Sequence, residues 1–493
     1  MKAVFTSEEM RACERAYFAK GVSSLALMER AAARLSEVAL QMLPSGGTCA
    51  FAVSGGGNGG DGYAAARLMA EKGARVAVIT ASEAKNPDTI TNRRLAEGKV
   101  FALTDTDALD SLPRPALWVD CLFGTGLNRA PEGEALRLIR RINADRHDGS
   151  RVLSCDIPSG LSSDTGEIYG ECVRADVTLT FHEMKRGHLI GRGKDVCGEI
   201  KIASIGIDRD CYPKNPMLLI EDEDVKQALP RRAPTAHKND FGHLLIIAGS
   251  RGMAGAAAIC ASAAMRTGAG LVTVACPEGI TNIIQTLAPC AMCLPLNEKD
   301  GAISAEALPQ LLKAFEGKSA IAVGPGLSQR ASAGIVEAVL QSGIKAVLDA
   351  DALNLISRNP SLKLLLKPCH ALTPHPGEAV RLLGEKLDAV NAAISLRALG
   401  CKALVKGAGT VIAGDRLYVS ASGCAGMAKG GSRDALTGMV GALLAQGLDT
   451  ETALWAGAQL HGRAGEAAAK KYGMASMLPT DLVSCIGEVY PNV

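Results

Sequence analysis

The sequence predicts an α/β protein of two domains, each built on a mostly parallel, doubly wound sheet. Short apolar runs alternate with amphipathic stretches in both halves of the chain, as strands that are joined by helices do. A chain of 493 residues is also long enough for two hydrophobic cores. Between the halves, residues 208–239 are rich in proline and charge, which is typical of a linker. We therefore expect domains at residues 1–212 and 225–493, joined by a linker at 213–224.

The N-terminal domain is predicted to be Rossmann-like. Its apolar runs predict strands at residues 48–53, 75–80, 116–122 and 151–156. A glycine-rich loop follows the first of these strands and leads into a helix at residues 63–72. Asp120 and Asp156 stand at strand ends, each before a flexible loop. Since the carboxyl ends of the strands carry the functional loops of such sheets, these positions predict a ligand site.

The C-terminal domain repeats the alternation of strands and helices. Its strands are predicted at residues 243–248, 271–276, 320–323, 346–348, 370–372 and 403–405, followed by a hairpin at 411–419. Its helices are predicted at residues 254–266, 433–446 and 451–471, the last two closing the chain. No residue-level repeat relates the two halves, so we interpret the chain as a fusion and not as a duplication.

Composition and charge exclude several classes of function. A net charge of +2 and an aromatic content of 3% provide neither the basic field nor the stacking surface of a nucleic-acid-binding protein. The longest uncharged run in a helical context, residues 252–265, is too short to cross a membrane. The N-terminus turns acidic where a signal peptide is apolar, so we expect a cytoplasmic protein. Its helices, rich in small residues, lead us to expect a homo-oligomer.

The fifteen cysteines are scattered along the chain. Cys290 and Cys293 form one C-x-x-C motif, but no second pair completes a structural zinc site. We therefore expect both to be buried, reduced thiols.

The glycine-rich segment at residues 54–62 offers Asn58 and Asp61 as ligand-binding side chains. Its glycines would let backbone N–H groups approach a phosphate closely at the start of a helix. The spacing is not the G-x-G-x-x-G of an ordinary hydride-transfer site. The alternative is a tight turn in which Asp61 only caps the helix.

Further polar residues stand at the neighbouring strand ends. Oxygen ligands from Asn58, Asp120 and Ser159, together with backbone carbonyls, would suit a hard cation. Asp156, which is not among these ligands, is a candidate general acid–base group. The alternative for Asp156 is a helix cap before a turn marked by Pro158.

At these residues, the sequence resembles the NAD(P)H-hydrate epimerase family, over residues 5–207. The matching motifs lie at residues 28–31, 58–62, 120–126, 156–160 and 180–185. The resemblance implies interconversion of the R and S epimers of hydrated NADH or NADPH (NAD(P)HX). It implies that Asp156 shuttles the proton and that Asn58, Asp120 and Ser159 hold K⁺. It implies a substrate site at Gly57, Asn58, Gly59, Gly60, Asp61, Gly124, Thr125, Gly126, Leu127, Asn128, Arg129, Ala130 and Asp156. Gly57 departs from the family, which usually has asparagine there.

A second glycine-rich segment, residues 430–438, opens a predicted helix and carries Asp434. A carboxylate there can take a proton from a hydroxyl while glycine N–H groups stabilise a transferring phosphoryl group, or it can simply cap the helix. Lys406 begins another glycine-rich segment after a strand, which offers a second anion cradle. His375 lies between two prolines, where it either faces a ligand or only shapes the turn.

Together these motifs resemble the ribokinase-like superfamily and, within it, the ADP-dependent NAD(P)H-hydrate dehydratases, over residues 225–490. The matching motifs lie at residues 237–242, 249–256, 324–327, 349–354, 373–378, 406–410 and 430–438. The resemblance implies ADP as phosphoryl donor, assistance by Mg²⁺ and Asp434 as the base that activates the hydroxyl of the S hydrate. It implies a nucleotide site at Lys406, Gly407, Ala408, Gly409 and Thr410, and a hydrate site at Gly255, Ala256, Gly326, His375 and Asp434.

Arg433 stands where the dehydratase family has glycine. Arginine restricts φ, yet its guanidinium can bind a phosphate, so Arg433 either joins the nucleotide site or obstructs it. The leading interpretation is an enzyme that epimerises the hydrate and then dehydrates its S epimer. The alternatives are a ribokinase-like kinase of a vitamin precursor fused to a ligand-binding domain, and a non-catalytic scaffold.

Overall fold

The computed structural model describes residues 1–490, apart from the side chains at positions 108 and 110. It divides into an N-terminal unit, Ala3–Pro216, and a C-terminal unit, Met217–Val493 with Met1–Lys2. This division lies within the predicted linker of residues 213–224. The later part of that linker carries secondary structure, because Met217–Leu219 forms a strand and a helix begins at Asp222. Residues 491–493 of the predicted C-terminal domain lie outside the described residues.

The N-terminal unit is an α/β layer structure around a seven-stranded sheet. Its strands are β1 Lys2–Phe5, β2 Thr48–Val53, β3 Arg75–Thr80, β4 Ala102–Asp105, β5 Leu117–Cys121, β6 Arg151–Cys155, β7 Val177–Phe181, β8 Met184–Lys185 and β9 Glu199–Ala203. Its helices are α1 Ser7–Phe18, α2 Ser24–Met42, α3 Gly57–Glu71, α4 Pro87–Ala96, α5 Gly133–His147, α6 Arg186–Leu189 and α7 Gly193–Val196. The sheet has the order β4-β3-β2-β5-β6-β7-β9, and all its pairings are parallel.

The direction of the strand order reverses between β2 and β5. In a doubly wound sheet, ligands bind in the crevice at this reversal, outside the carboxyl ends of the strands. β2 and β5 are buried over most of their length, as central parallel strands with helices on both faces are. The loops that follow these two strands therefore open next to each other.

The helix after β2 begins at Gly57, so the predicted start at residue 63 is wrong. Its first turns pack too closely for larger residues. A Cβ on Gly59 would lie 1.8 Å from the carbonyl oxygen of Ser54, and one on Gly60 would lie 2.7 Å from the side chain of Met28. Close packing thus explains these two glycines, and it overrides their poor helix propensity.

The C-terminal unit is a second α/β structure around a larger sheet. Its strands are β10 Met217–Leu219, β11 His243–Ile247, β12 Leu271–Pro277, β13 Met292–Leu296, β14 Glu298–Lys299, β15 Ala302–Ile303, β16 Ala320–Val323, β17 Lys345–Leu348, β18 His370–Leu372, β19 Lys402–Val405, β20 Thr410–Ala413 and β21 Leu417–Ser420. Its helices are α8 Asp222–Ala228, α9 Ala254–Arg266, α10 Thr281–Leu287, α11 Leu308–Ala314, α12 Ala333–Gln341, α13 Asp351–Arg358, α14 Pro360–Lys363, α15 Pro376–Leu383, α16 Ala389–Arg397, α17 Ser432–Ala445, α18 Thr450–Tyr472 and α19 Pro479–Val489.

Ten of these strands follow the order β13-β12-β11-β16-β17-β18-β19-β20-β21-β10. Only the hairpin pairings β19–β20 and β20–β21 among them are antiparallel. The strand order reverses between β11 and β16, so the loops after these strands open at the carboxyl edge of the sheet. The predicted end of the chain is wrong, because α19 follows the two long helices and packs on α18 and α9.

Two smaller expectations concern cysteines and membranes. Cys290 is exposed and Cys293 is half-buried, so the prediction of buried thiols is wrong for Cys290, which precedes the edge strand β13. The cysteines of the described part of the chain are all free thiols. None of the helices formed by residues 1–490 has both the length and the apolarity that a bilayer span requires.

Two candidate active sites

A cavity of about 920 Å³ opens at the strand reversal of the N-terminal sheet. The loop after β2 and the loop after β5 form much of its wall, and α1 and α2 contribute further side chains. Of the predicted substrate-binding residues, those that line it are Gly57, Asn58, Asp61, Gly124, Thr125, Gly126, Leu127, Asn128, Arg129 and Asp156. Gly59, Gly60 and Ala130 do not line it, and the first two are buried in the packing of α3.

Asp156 follows β6 directly and adopts a left-handed backbone conformation with φ of 63°. Its Oδ1 accepts hydrogen bonds from Lys185 Nζ at 2.5 Å, Thr180 Oγ1 at 2.9 Å and the Phe181 N–H at 3.3 Å. Burial alone would raise the pKa of this carboxyl, but the charge and hydrogen bond of Lys185, together with His188 and Thr180, lower it. Asp156 is therefore a half-buried, ionised carboxylate that faces the cavity, and it does not cap a helix.

Asp61 lies in the second turn of α3 and also faces the cavity. Asp61 is the fifth residue of α3 and so lies beyond the first-turn N–H groups that a cap satisfies, so the alternative in which Asp61 caps the helix is wrong. Burial raises the pKa of Asp61 well above its usual value, and the charges of Asp156 and Glu14 raise it further. The cavity thus holds two carboxyl groups whose surroundings shift their pKa values in opposite directions.

The three predicted cation ligands lie together beside the cavity. Asn58 Nδ2 donates to the carbonyl oxygens of Phe123 at 3.1 Å and Cys155 at 3.3 Å. Ser159 Oγ donates to Asp120 Oδ1 at 2.6 Å and lies 3.3 Å from the same Phe123 oxygen. Asp120 is fully buried, and burial raises its pKa although its oxygens accept several hydrogen bonds. The result is a compact set of oxygen atoms from the ends of β5 and β6, with the side-chain amide of Asn58 from α3 beside it.

In the C-terminal unit, a buried ion pair lies at the carboxyl ends of β17 and β19. Lys406 Nζ lies 2.6 and 2.7 Å from the two oxygens of Asp349, and the side chains are 11% and 1% exposed. Thr437 Oγ1 of α17 donates to Asp349 Oδ2 at 2.6 Å. This network ties the first turns of α17 to the edge of the sheet.

Asp434 lies in the first turn of α17, one turn before Thr437. Burial, and next the charge of Asp349, raise the pKa of Asp434 to about 7. Gly431, with φ of 102°, is the residue that precedes the helix, and Asp434, the third helical residue, forms no capping box with it, so Asp434 does not act as the helix cap. A carboxyl with a pKa near 7 suits a general base that works at neutral pH.

The other predicted residues of this unit surround the same edge of the sheet. Ala256 lies near Gly326, because a Cβ on Gly326 would lie 3.0 Å from that of Ala256. Residues 407–409 lie between β19 and β20, and Thr410 begins β20. The Lys406 side chain is held by Asp349, so its ammonium is already paired.

His375 shapes the start of α15, as the structural alternative for this residue supposes. The ring Nδ1 of His375 accepts a hydrogen bond from the backbone N–H of Gly377 at 3.0 Å, and the backbone N–H of His375 donates to Glu378 Oε2 at 2.9 Å. Burial, and then the charges of Arg433 and Lys406, lower the pKa of His375 to about 4. The imidazole is therefore neutral at physiological pH, and its side chain stays 25% exposed.

Arg433 is the second residue of α17, and its side chain is exposed. Its φ is not positive, so an arginine fits the backbone here without strain. Next to it, Ser432 is buried, and no described residue offers its Oγ a hydrogen bond. A hydroxyl in this state, at the start of a fourteen-residue helix, suits the oxygen of an anionic ligand.

Sequence reasoning gave no role to three residues of these sites. Asp349 and Thr437 lie in motifs that carry the resemblance but have no predicted role, and Glu14 lies in none of the motifs. The two contacts to Asp349 join positions 57 and 88 residues apart, so no local pattern could reveal them. Only one sequence signal was available, which is a charged residue directly after an apolar strand. Asp349 shows this signal, because it directly follows β17.

Comparison with known proteins places both units in described families. Residues 24–187 match a family described as "YjeF-related protein N-terminus", and residues 244–488 match one described as "NAD(P)H-hydrate dehydratase". Among solved structures, the ADP/ATP-dependent NAD(P)H-hydrate dehydratase of Bacillus subtilis, co-crystallised with ATP and Mg²⁺, is 28% identical. The match covers 56% of this chain and 98% of that one, with a TM-score of 0.47.

Several relatives match over both units. A bifunctional NAD(P)H-hydrate repair enzyme of Coxiella burnetii is 34% identical over 505 residues, covering 98% of each chain. Enzymes of the same description are 34% identical in Escherichia coli, covering 99% of this chain and 93% of that one, and 35% identical in Moorella thermoacetica, covering 89% and 86%. At this identity over nearly the whole length, the chain belongs to the family of bifunctional NAD(P)H-hydrate repair enzymes.

Proposed function

We propose that this chain repairs hydrated NADH and NADPH in two steps. The N-terminal unit interconverts the R and S epimers, and the C-terminal unit dehydrates the S epimer at the expense of ADP, yielding NAD(P)H, AMP and phosphate. One observation carries the proposal: each unit holds a half-buried carboxyl with a shifted pKa, Asp156 directly after β6 and Asp434 in the first turn of α17 near Asp349. Such pKa shifts are typical of acid–base groups in active sites.

In the first step, Asp156 is the proposed proton carrier. The hydroxyl of the hydrate is on a carbon beside the ring nitrogen, whose lone pair can expel it as water once the oxygen is protonated. Water then returns to either face of that carbon. The ionised state of Asp156, held by Lys185 and Thr180, suits a group that accepts the proton of the incoming water.

We assign K⁺ to Asn58, Asp120 and Ser159. The oxygen atoms around them support this assignment, because alkali and alkaline-earth cations prefer oxygen ligands, and Asp120 supplies one negative charge. The Phe123 carbonyl oxygen lies close enough to Asn58 and Ser159 to act as a further ligand of the ion. The ion would supply positive charge that fixes the loops after β2, β5 and β6 around the dinucleotide.

In the second step, Asp434 is the proposed base. It takes the proton of the hydroxyl of the S hydrate as that oxygen attacks the terminal phosphoryl group of ADP, releasing AMP. The resulting ester leaves as phosphate, pushed by the ring nitrogen, and the dihydronicotinamide is restored. Gly407, Ala408, Gly409 and Thr410 would contact the nucleotide, and Ala256, Gly326 and the neutral His375 would face the hydrate.

Mg²⁺ would neutralise the phosphate charge during this transfer. The charge of Asp349 is already neutralised by the Lys406 ammonium, so we assign that carboxylate no metal. Mg²⁺ usually keeps several waters and binds largely through substrate phosphates, so we expect it to enter with ADP. Arg433 and the unpartnered hydroxyl of Ser432 are the proposed protein contacts to the phosphates at the start of α17.

The direct test is recovery of NADH absorbance from hydrated NADH, with and without ADP. We expect full recovery from mixed epimers only when ADP is present. Phosphorylation of a thiazole or pyrimidine alcohol without recovery of NADH would instead support the kinase alternative. Arg433→Gly in the same assay should raise KM for ADP if the guanidinium binds phosphate, and should raise kcat if it obstructs the site.

Assembly and location complete the proposal. We expect a cytoplasmic homo-oligomer, which light scattering of the purified chain and fractionation of the source cells would test.

A further inference from the structure

We infer that Asp61 is a second acid–base group of the first site, which works together with Asp156 on the hydroxyl-bearing carbon. This inference rests on the proposed epimerisation and gives Asp61 a chemical role beyond substrate binding. Its basis is a cavity whose wall carries both carboxyl groups, that of Asp61 from α3 and that of Asp156 from the end of β6.

The fold presents the two groups from opposite sides of one loop. Asp61 belongs to α3, which follows β2, and Asp156 directly follows β6. In the sheet, β5 alone lies between β2 and β6, so their axes are about 10 Å apart, or two strand spacings. The loop after β5 lines the cavity between them. We infer that the planar ring binds between the two groups, with one carboxyl group toward each face.

The two groups differ in their hydrogen bonding. Asp156 accepts from three donors, including the Lys185 ammonium. The carboxyl of Asp61 makes no hydrogen bond to any residue within 1–490. Burial raises the pKa of Asp61, with the charges of Asp156 and Glu14, whereas Lys185 lowers that of Asp156. Asp61 therefore keeps its proton at a pH at which Asp156 has lost its own, a difference typical of acid–base pairs.

The other titratable groups near Asp61 and Asp156 do not change the order of their two pKa values. Glu14 of α1 faces the same cavity, and burial raises its pKa. Arg11 lines the cavity from the same helix. Cys121 and Cys155 lie near Asp61, and burial raises the pKa of both thiols, so they remain neutral.

The reaction balances with water as the sole co-reactant. The Asp61 carboxyl donates its proton to the hydroxyl of the hydrate, the C–O bond breaks, and water leaves as the ring nitrogen forms a C=N⁺ bond. A second water adds to the opposite face of that carbon and gives a proton to the Asp156 carboxylate. The epimer forms, and one proton has moved from Asp61 to Asp156. The reverse direction uses Asp156 as donor and Asp61 as acceptor.

The test follows epimerisation and oxygen exchange together, in ¹⁸O-water without ADP, with the full-length chain and either pure epimer of hydrated NADH. Asp61→Asn should slow epimerisation by about 100-fold or more. In the epimer whose hydroxyl faces Asp156, the variant should still exchange oxygen with retention, so the ratio of exchange to epimerisation should rise at least about tenfold over wild type. Asp156→Asn should show the same behaviour in the other epimer.

Two outcomes would overturn the inference. One is epimerisation by Asp61→Asn within about threefold of wild type, a loss far smaller than removal of an acid–base group causes. The other is equal loss of exchange and epimerisation in both epimers, which indicates a binding role alone. Glu97→Gln, an exposed carboxyl outside the cavity, is the matched control and should leave both rates unchanged. Recovery of NADH from the S epimer with ADP reports in the same sample that the C-terminal unit is intact.

A measurement on the wild type tests the inference even if a variant fails to fold. The pH profile of kcat/KM for epimerisation should be bell-shaped, because Asp156 must be ionised and Asp61 protonated at the start of a turnover. A profile that rises once and stays level up to pH 9 would contradict a protonated Asp61. A wild type that does not epimerise at all would instead refute the proposed function.

Discussion

Replacement of Lys406 by methionine should strongly destabilise the C-terminal unit. The substitution keeps most of the side-chain volume but leaves the Asp349 carboxylate, 1% exposed, without its counter-ion. Removing one partner of a buried ion pair costs about 3–5 kcal/mol, because the remaining charge is uncompensated. The discount for solvent screening that applies to surface pairs does not apply here, since Lys406 itself is only 11% exposed.

Urea denaturation measures this loss. The chain has two tryptophans, with Trp118 in the N-terminal and Trp455 in the C-terminal unit, so fluorescence in a Trp118→Phe parent reports the C-terminal unit. At an m-value of about 3 kcal/mol/M, Lys406→Met should lower the urea midpoint by about 1–1.7 M. The control is Lys471→Met, which breaks a 3.5 Å pair with Glu488 whose side chains are about half exposed, and should leave the midpoint unchanged.

The double variant separates charge from packing. With Asp349→Asn added to Lys406→Met, no charge is left unpaired, and most of the lost stability should return. A midpoint for Lys406→Met that matches the Lys471→Met control would refute the reasoning, as would a double variant less stable than the single one.

Three further predictions follow from the sites. The dehydration step should lose rate as pH falls below about 7, because Asp434 must be ionised and its pKa is raised to about 7; a pH–kcat profile that stays level down to pH 5 would contradict this. Lys185→Met should move the acid limb of epimerisation to higher pH, because burial then raises the pKa of Asp156 without an opposing ammonium; an unchanged limb argues against this carboxyl. Gly59→Ala should lower the melting temperature, because its Cβ would lie 1.8 Å from a carbonyl oxygen, whereas Gly57→Ala, with no atom within 4 Å, should not.

Much of the fold could be predicted because buried parallel strands are continuous apolar runs. The predictions for residues 48–53, 75–80, 320–323 and 370–372 coincide with β2, β3, β16 and β18. The start of α3 could not be predicted in this way, because a run of glycines indicates a loop unless the packing partner is known. Gly59 and Gly60 are explained by the Ser54 carbonyl and the Met28 side chain, which both lie outside the helix.

The candidate sites could be predicted in part. Strand-end carboxylates such as Asp120 and Asp156 can be recognised in a sequence, because each is a charged residue at the end of an apolar run. The partners that set their charge are not visible, since Lys185 lies 29 residues from Asp156. Sequence position also did not separate glycines that line the cavity, such as Gly57, from those that only pack, such as Gly59.

The left-handed backbone of Asp156, with φ of 63°, has a consequence for the response of the enzyme to heat. Such a conformation costs about 1–3 kcal/mol and persists only while its surroundings enforce it. Here the Leu179 carbonyl, which accepts from the Asp156 N–H at 2.8 Å, and the His188 ring, 2.9 Å from the Asp156 carbonyl oxygen, hold the backbone. Thr180, Phe181 and Lys185 at the β7–β8 turn hold the carboxyl. Local opening of that turn would free the residue to relax to negative φ and withdraw its carboxyl. Epimer exchange should therefore fail on warming several degrees before the N-terminal unit melts, while the dehydratase in the same molecule continues to turn over.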